Sequence, residues 1–84
     1  MFDSVKEIRE ATQAARKKQV KRLSMTVKER INDEVKKGEY NAIISCKTFG
    51  SFACEQVMHE LLSFNYLVAL LNGEMAVNWS VNND

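Results

Sequence analysis

Apolar residues recur at spacings of three and four through the first part of the chain: Val5, Ile8, Thr12 and Ala15, then Val20, Leu23, Val27, Ile31 and Val35. That period predicts an amphipathic helix with a narrow apolar stripe. Ser4 with Glu7, and Thr26 with Glu29, each have the spacing of a capping box, in which a hydroxyl and a carboxylate satisfy orphan backbone amides reciprocally. The segment is therefore either a helix pair broken near Ser24 to Thr26 or one long helix bending there, since neither proline nor glycine interrupts the stripe. Gly38 ends it as the left-handed residue after the last turn, with Lys36 and Lys37 at the negative end of the dipole.

From Tyr40 the pattern changes. Ala42, Ile43, Ile44 and Cys46 form an apolar run too short for a buried helix and read as a strand. Gly50 and Ser51 supply a turn and a candidate N-cap. Ala53, Val57, Leu61 and Phe64 then share one helical face, widened by Cys54, Met58 and Leu62. A helix with so broad an apolar face needs two neighbours, a sheet on one side and the first helix on the other. Asn65 suits its C-terminal stop. Asn72-Gly73 between Leu67 to Leu71 and Glu74 to Val81 predicts a hairpin, because both turn residues must tolerate positive φ. In the last strand Met75, Val77, Trp79 and Val81 share the face expected to be core, opposite Ala76, Asn78 and Ser80.

The fold class expected is α+β: an N-terminal helix or helix pair, then β-α-β-β with a small three-stranded sheet. The second helix would cross over to make the first two strands parallel. The third strand either inserts between them, giving a split β-α-β sheet, or lies outside its hairpin partner.

Composition narrows the class. The 84 residues are 45% hydrophobic and 27% charged with no proline, which excludes collagen-like, proline-rich and strongly disordered chains. We read residues 1–84 as one domain, 1–38 helical and basic and 39–84 β-α-β-β. Its core would be thin enough for self-association to help. Two cysteines are too few for a disulfide framework and are expected to be reduced. The opening Met1-Phe2-Asp3-Ser4 lacks the pattern of an export signal. The longest apolar stretch, Leu67 to Leu71, is about a quarter of the roughly 20 residues a membrane-spanning helix needs, so no membrane span is expected.

Charge is unevenly distributed within a net +1. Residues 1–40 carry eleven basic and seven acidic side chains, residues 41–84 one basic and four acidic. No acid lies between Glu10 and Glu29, where Arg16, Lys17, Lys18, Lys21 and Arg22 cluster. On a helix wheel Lys17, Lys18, Lys21 and Arg22 fall away from Val20, Val27 and Ile31 as one cationic strip. Such a strip suits phosphate backbones, acidic proteins or an anionic nucleotide; its plainer reading is a solvated helix face. No aromatic residue interrupts the cluster, so nucleic-acid binding there would be sequence-independent and salt-sensitive.

Cys46, Cys54 and His59 have the spacing Cys-x7-Cys-x4-His, which lacks the close pairs and the fourth ligand that zinc favours. The two cysteines read as small buried hydrophobes, and the wheel separates Cys54 from His59. No glycine-rich phosphate loop or opposed pair of carboxylates is evident, so neither a cofactor nor a reaction is expected. Trp79 reads as core rather than as an interface anchor. The Val5, Ile8 and Ala15 stripe is longer than a small globule easily covers. It either folds back on the sheet or packs on another copy or a partner protein. Phe49 and Phe52 either add an apolar rim or staple the second helix.

Residues 31–80 resemble a class of small bacteriophage accessory proteins. The resemblance is carried by Ile31, Val35, Lys37-Gly38-Glu39-Tyr40, Ile43-Ile44, Val57, Leu61-Leu62, Phe64-Asn65-Tyr66-Leu67-Val68 and Val77-Asn78-Trp79-Ser80. Phe64-Asn65-Tyr66 stands where that class has a Gly-Tyr-like step, and the basic N-terminal helix is not part of its pattern. The resemblance implies a phage-encoded protein in the host bacterial cytoplasm that acts by binding host machinery. The function expected is non-enzymatic: binding a host protein to modulate a process such as defence or transcription, as a dimer or small oligomer. The alternatives are a nucleic-acid-binding protein using residues 16–22 and a minor virion or assembly component.

Overall fold

The computed structural model describes residues 3–80. Its first element is a single unbroken helix, α1, from Val5 to Lys36. The Ser4 hydroxyl caps it by accepting from the Glu7 amide at 3.3 Å. The second predicted capping box does not form. Thr26 Oγ1 instead donates to the Arg22 carbonyl one turn back, at 3.0 Å, so its hydroxyl is satisfied without interrupting the helix. At the other end the Gly38 amide donates to the Val35 carbonyl and the Glu39 amide to the Glu34 carbonyl, with Gly38 at φ 79°. This paired closure leaves few carbonyls orphaned.

After α1 the chain forms strand β1, Asn41–Ser45, and a short 3-10 turn, Lys47–Phe49. Helix α2, Ser51–Ser63, follows, and strands β2, Leu67–Leu71, and β3, Glu74–Asn78, complete the fold. Gly50, not Ser51, occupies the N-cap of α2, at a φ of 84° that side-chain-bearing residues rarely adopt. Asn65, at φ 70°, closes α2 as expected: its amide reaches Leu62 and that of Tyr66 reaches Leu61.

β3 is the central strand, antiparallel to both neighbours in the order β1-β3-β2. The third strand thus inserts between the first two, giving the split arrangement. Asn72 at φ 52° and Gly73 at φ 77° make the hairpin turn. The register aligns Ala42, Val77 and Val68 in one row and Ile44, Met75 and Leu70 in the next. These six face the helices. α1 packs on β1 and α2, and α2 packs on β2, so both helices lie on one side of the sheet.

The core is small. Leu23, Val27, Ala42, Ile44, Cys46, Ala53, Cys54, Val57, Met75 and Val77 are buried. Trp79 lies beyond the end of β3 and is only half-buried, so it is not the core anchor the alternation suggested. The ladder ends here because β1 ends: the Trp79 amide makes a last bond to the Tyr40 carbonyl, at 2.9 Å. Val81 lies outside the described residues. Phe64, expected on the buried face of α2, is 69% exposed.

Candidate functional site

Every residue of α1 from Val5 to Lys18 is exposed. Burial begins at Gln19 and Val20 and is complete only at Leu23 and Val27. The first turns therefore form an arm projecting past the sheet and α2. Val5 is 74% and Ile8 52% exposed, and Ala15 lies on the same open stripe, so these three do not fold back onto the sheet. Thr12 Oγ1 donates to the Ile8 carbonyl at 2.8 Å, which satisfies its hydroxyl within the helix.

The basic cluster divides at Arg16. Its guanidinium stacks 4.4 Å from the centroid of the Phe52 ring, tying the base of the arm to the first turn of α2. Lys17, Lys18, Lys21 and Arg22 remain exposed, and none is in an ion pair among the described residues. Arg16, Lys17 and Lys21 also line an open groove of about 530 Å³ between α1 and α2, floored by Val20 and Phe52 with Gln13 and Gln56 at its rim. Phe49 packs against the core, and Phe52 lies half-buried under Arg16.

A second groove, also of about 530 Å³, runs between the later part of α1 and the end of α2. Phe64, Tyr66 and Trp79 wall it, with Val27 and Ile31 opposite. Tyr66 and Trp79 meet edge to face at 6.4 Å. Alternation put Trp79 on the correct face but gave no sign that it stands at an opening. The sheet face opposite the helices is uncovered as well: Ile43 is 56%, Leu67 54% and Leu71 72% exposed. The unbroken apolar sequence of β2 hid this, because such a run reads as a strand covered on both faces.

Cys46 and Cys54 are adjacent and buried. Cys54 Sγ donates to the Cys46 carbonyl and Cys46 Sγ to the Gly73 carbonyl, both at 3.3 Å, so the thiols join α2 and the hairpin turn to the residue that follows β1. Burial, with the neighbouring Cys46 adding to it, pushes the Cys54 thiol from its ordinary 9.0 up to about 12. His59 is exposed on α2. Among the described residues, no three His, Cys, Asp or Glu side chains converge as a metal site, and no helix is long and apolar enough to cross a membrane.

Arg30 ties α1 to the sheet margin. It donates to Glu34 and to the Ile43 carbonyl, each at 3.3 Å, while Lys37 reaches the same Glu34 carboxylate at 3.4 Å. Comparison with protein-family models, curated proteins and solved structures finds no match for this chain.

Proposed function

We propose that this chain is a non-enzymatic binding protein of the phage accessory type. Its projecting arm docks in an acidic-rimmed apolar groove of a host protein and so modulates a host process. The observation that carries this reading is the arm itself, exposed at every residue from Val5 to Lys18. A helical stretch of this length is marginal in water without packing, and an apolar stripe is best satisfied by a groove. Val5, Ile8, Thr12 and Ala15 supply that stripe. Arg9 and Arg16 border one side of it and Lys18 and Arg22 the other, which favours an acidic rim on the partner. The resemblance of residues 31–80 to phage accessory proteins supports a host protein as the partner.

A second reading, sequence-independent nucleic-acid binding, is favoured by the free cations of Lys17, Lys18, Lys21 and Arg22. One experiment separates the two. The tagged full chain is exposed to bacterial lysate at low and moderate salt, with and without nuclease, beside two variants. One carries Val5→Ser and Ile8→Ser; the other carries Ser at Lys17, Lys18, Lys21 and Arg22. The arm reading expects one host protein that survives nuclease and is lost with the Val5/Ile8 variant. Capture abolished by nuclease and by the quadruple variant, but unaffected at Val5 and Ile8, would transfer the function to nucleic acid.

A further inference from the structure

We propose that a second copy of this chain pairs with the free edge of β2, antiparallel and centred on Ala69, joining two three-stranded sheets into one six-stranded sheet. The proposal stands apart from the arm and does not depend on what the arm binds.

The two sheet edges differ. β1 is blunted, because Arg30 donates to the outward Ile43 carbonyl and places a charge beside it. β2, Leu67-Val68-Ala69-Leu70-Leu71, has no charge, proline or bulge along it. Its free groups follow from the ladder. The bonds from Cys46 to Gly73 and from Trp79 to Tyr40 show that even-numbered residues of β1 turn toward β3. Met75 and Val77 therefore turn toward β1, and Glu74, Ala76 and Asn78 toward β2. Leu67, Ala69 and Leu71 answer them, so the amides and carbonyls of Val68 and Leu70 point away from the sheet. No hydrogen bond from a described residue reaches those groups.

That edge complements itself. Antiparallel pairing about Ala69 sets Val68 opposite Leu70 of the second copy and Leu70 opposite its Val68, so all four outward amides and four outward carbonyls find partners. The same register sets Leu67 opposite Leu71 of the second copy as a non-hydrogen-bonded pair, the closer of the two spacings. Both are more than half exposed in the single chain, and Leu62 of α2, 43% exposed, lines the hollow beside Leu67 and Val68. Pairing thus covers backbone and apolar side chains together.

The chain exposes 6621 Å², above the about 5,100 Å² of a compact monomer of 9.6 kDa, an excess to which both the exposed arm and the open side of β2 contribute. A net charge of +1 per copy adds little repulsion.

The test reads the register. Full-length chain is followed by sedimentation across concentration up to millimolar, with circular dichroism to verify folding. Wild type is expected to form a dimer that stops at two. Replacing both Leu67→Lys and Leu71→Lys sets like charges opposite each other twice and should raise the dimer dissociation constant about tenfold or more. Combining Leu67→Glu with Leu71→Lys sets opposite charges there and should recover much of the loss. A wild type that stays monomeric, open-ended association, or a dimer indifferent to the double-lysine variant overturns the proposal. A dimer lost instead with Val5→Ser and Ile8→Ser also overturns it, placing self-association on the arm.

Discussion

Met75 and Trp79 lie four residues apart on the same face, and only Met75 is fully enclosed. Truncating a fully buried methionine costs about 2–5 kcal/mol, through lost transfer energy and the cavity left behind. Trp79 is larger, but it stands in the open aromatic groove with Tyr66, where water and a shift of the neighbouring rings can relieve part of the loss. We expect Met75→Ala to destabilise more than Trp79→Ala, the reverse of side-chain size, in urea unfolding monitored by circular dichroism. A larger loss at Trp79 would mean that the ring anchors the core from its margin. Period-two alternation assigned both residues to the inner face. It carries no information on depth, which is set here by where β1 ends and the last ladder bond is made.

At the scale of elements, the hairpin and both helix stops were legible because they depend on backbone chemistry at single positions: positive φ at Asn72 and Gly73, at Asn65 and at Gly38. The continuity of α1 was not. Thr26 and Glu29 have capping spacing, yet the same hydroxyl is equally satisfied by a carbonyl four residues back. Only tertiary packing of Leu23 and Val27 on either side decides between them. The uncovered sheet face was not legible for a related reason, since residue type alone does not say which neighbours are absent. α1 therefore combines a packed half with an exposed arm whose base is tied to α2 by Arg16 on Phe52. Hydrogen exchange should show this division, with amides of residues 9–15 exchanging through local fraying and those of 23–31 only on global opening. Equal protection along α1 in the isolated chain would mean that the arm is packed in solution.

The whole molecule has too much surface for its core. Its radius of gyration is 15.4 Å, where a compact domain of this length has about 12 Å, and it measures 56 × 23 × 21 Å. Among the described residues ten are buried, two of them cysteines whose thiols join α2 and the hairpin turn to the segment just after β1, so a change at Cys54 acts on global stability. Burial in the folded chain pushes its thiol from an ordinary 9.0 up to about 12. A thiol whose pKa is raised by folding favours the folded state while it stays protonated. That contribution is complete below about pH 9 and is lost as pH rises toward about 12, because the unfolded chain ionises first. The difference between wild type and Cys54→Ala isolates the thiol from every other effect of pH on the chain. Urea midpoints measured across that interval should show wild type losing ground to Cys54→Ala as pH rises. A constant gap would mean that the Cys54 thiol ionises as readily in the folded chain as in the unfolded one, and that the contact between Cys54 and Cys46 is open to water.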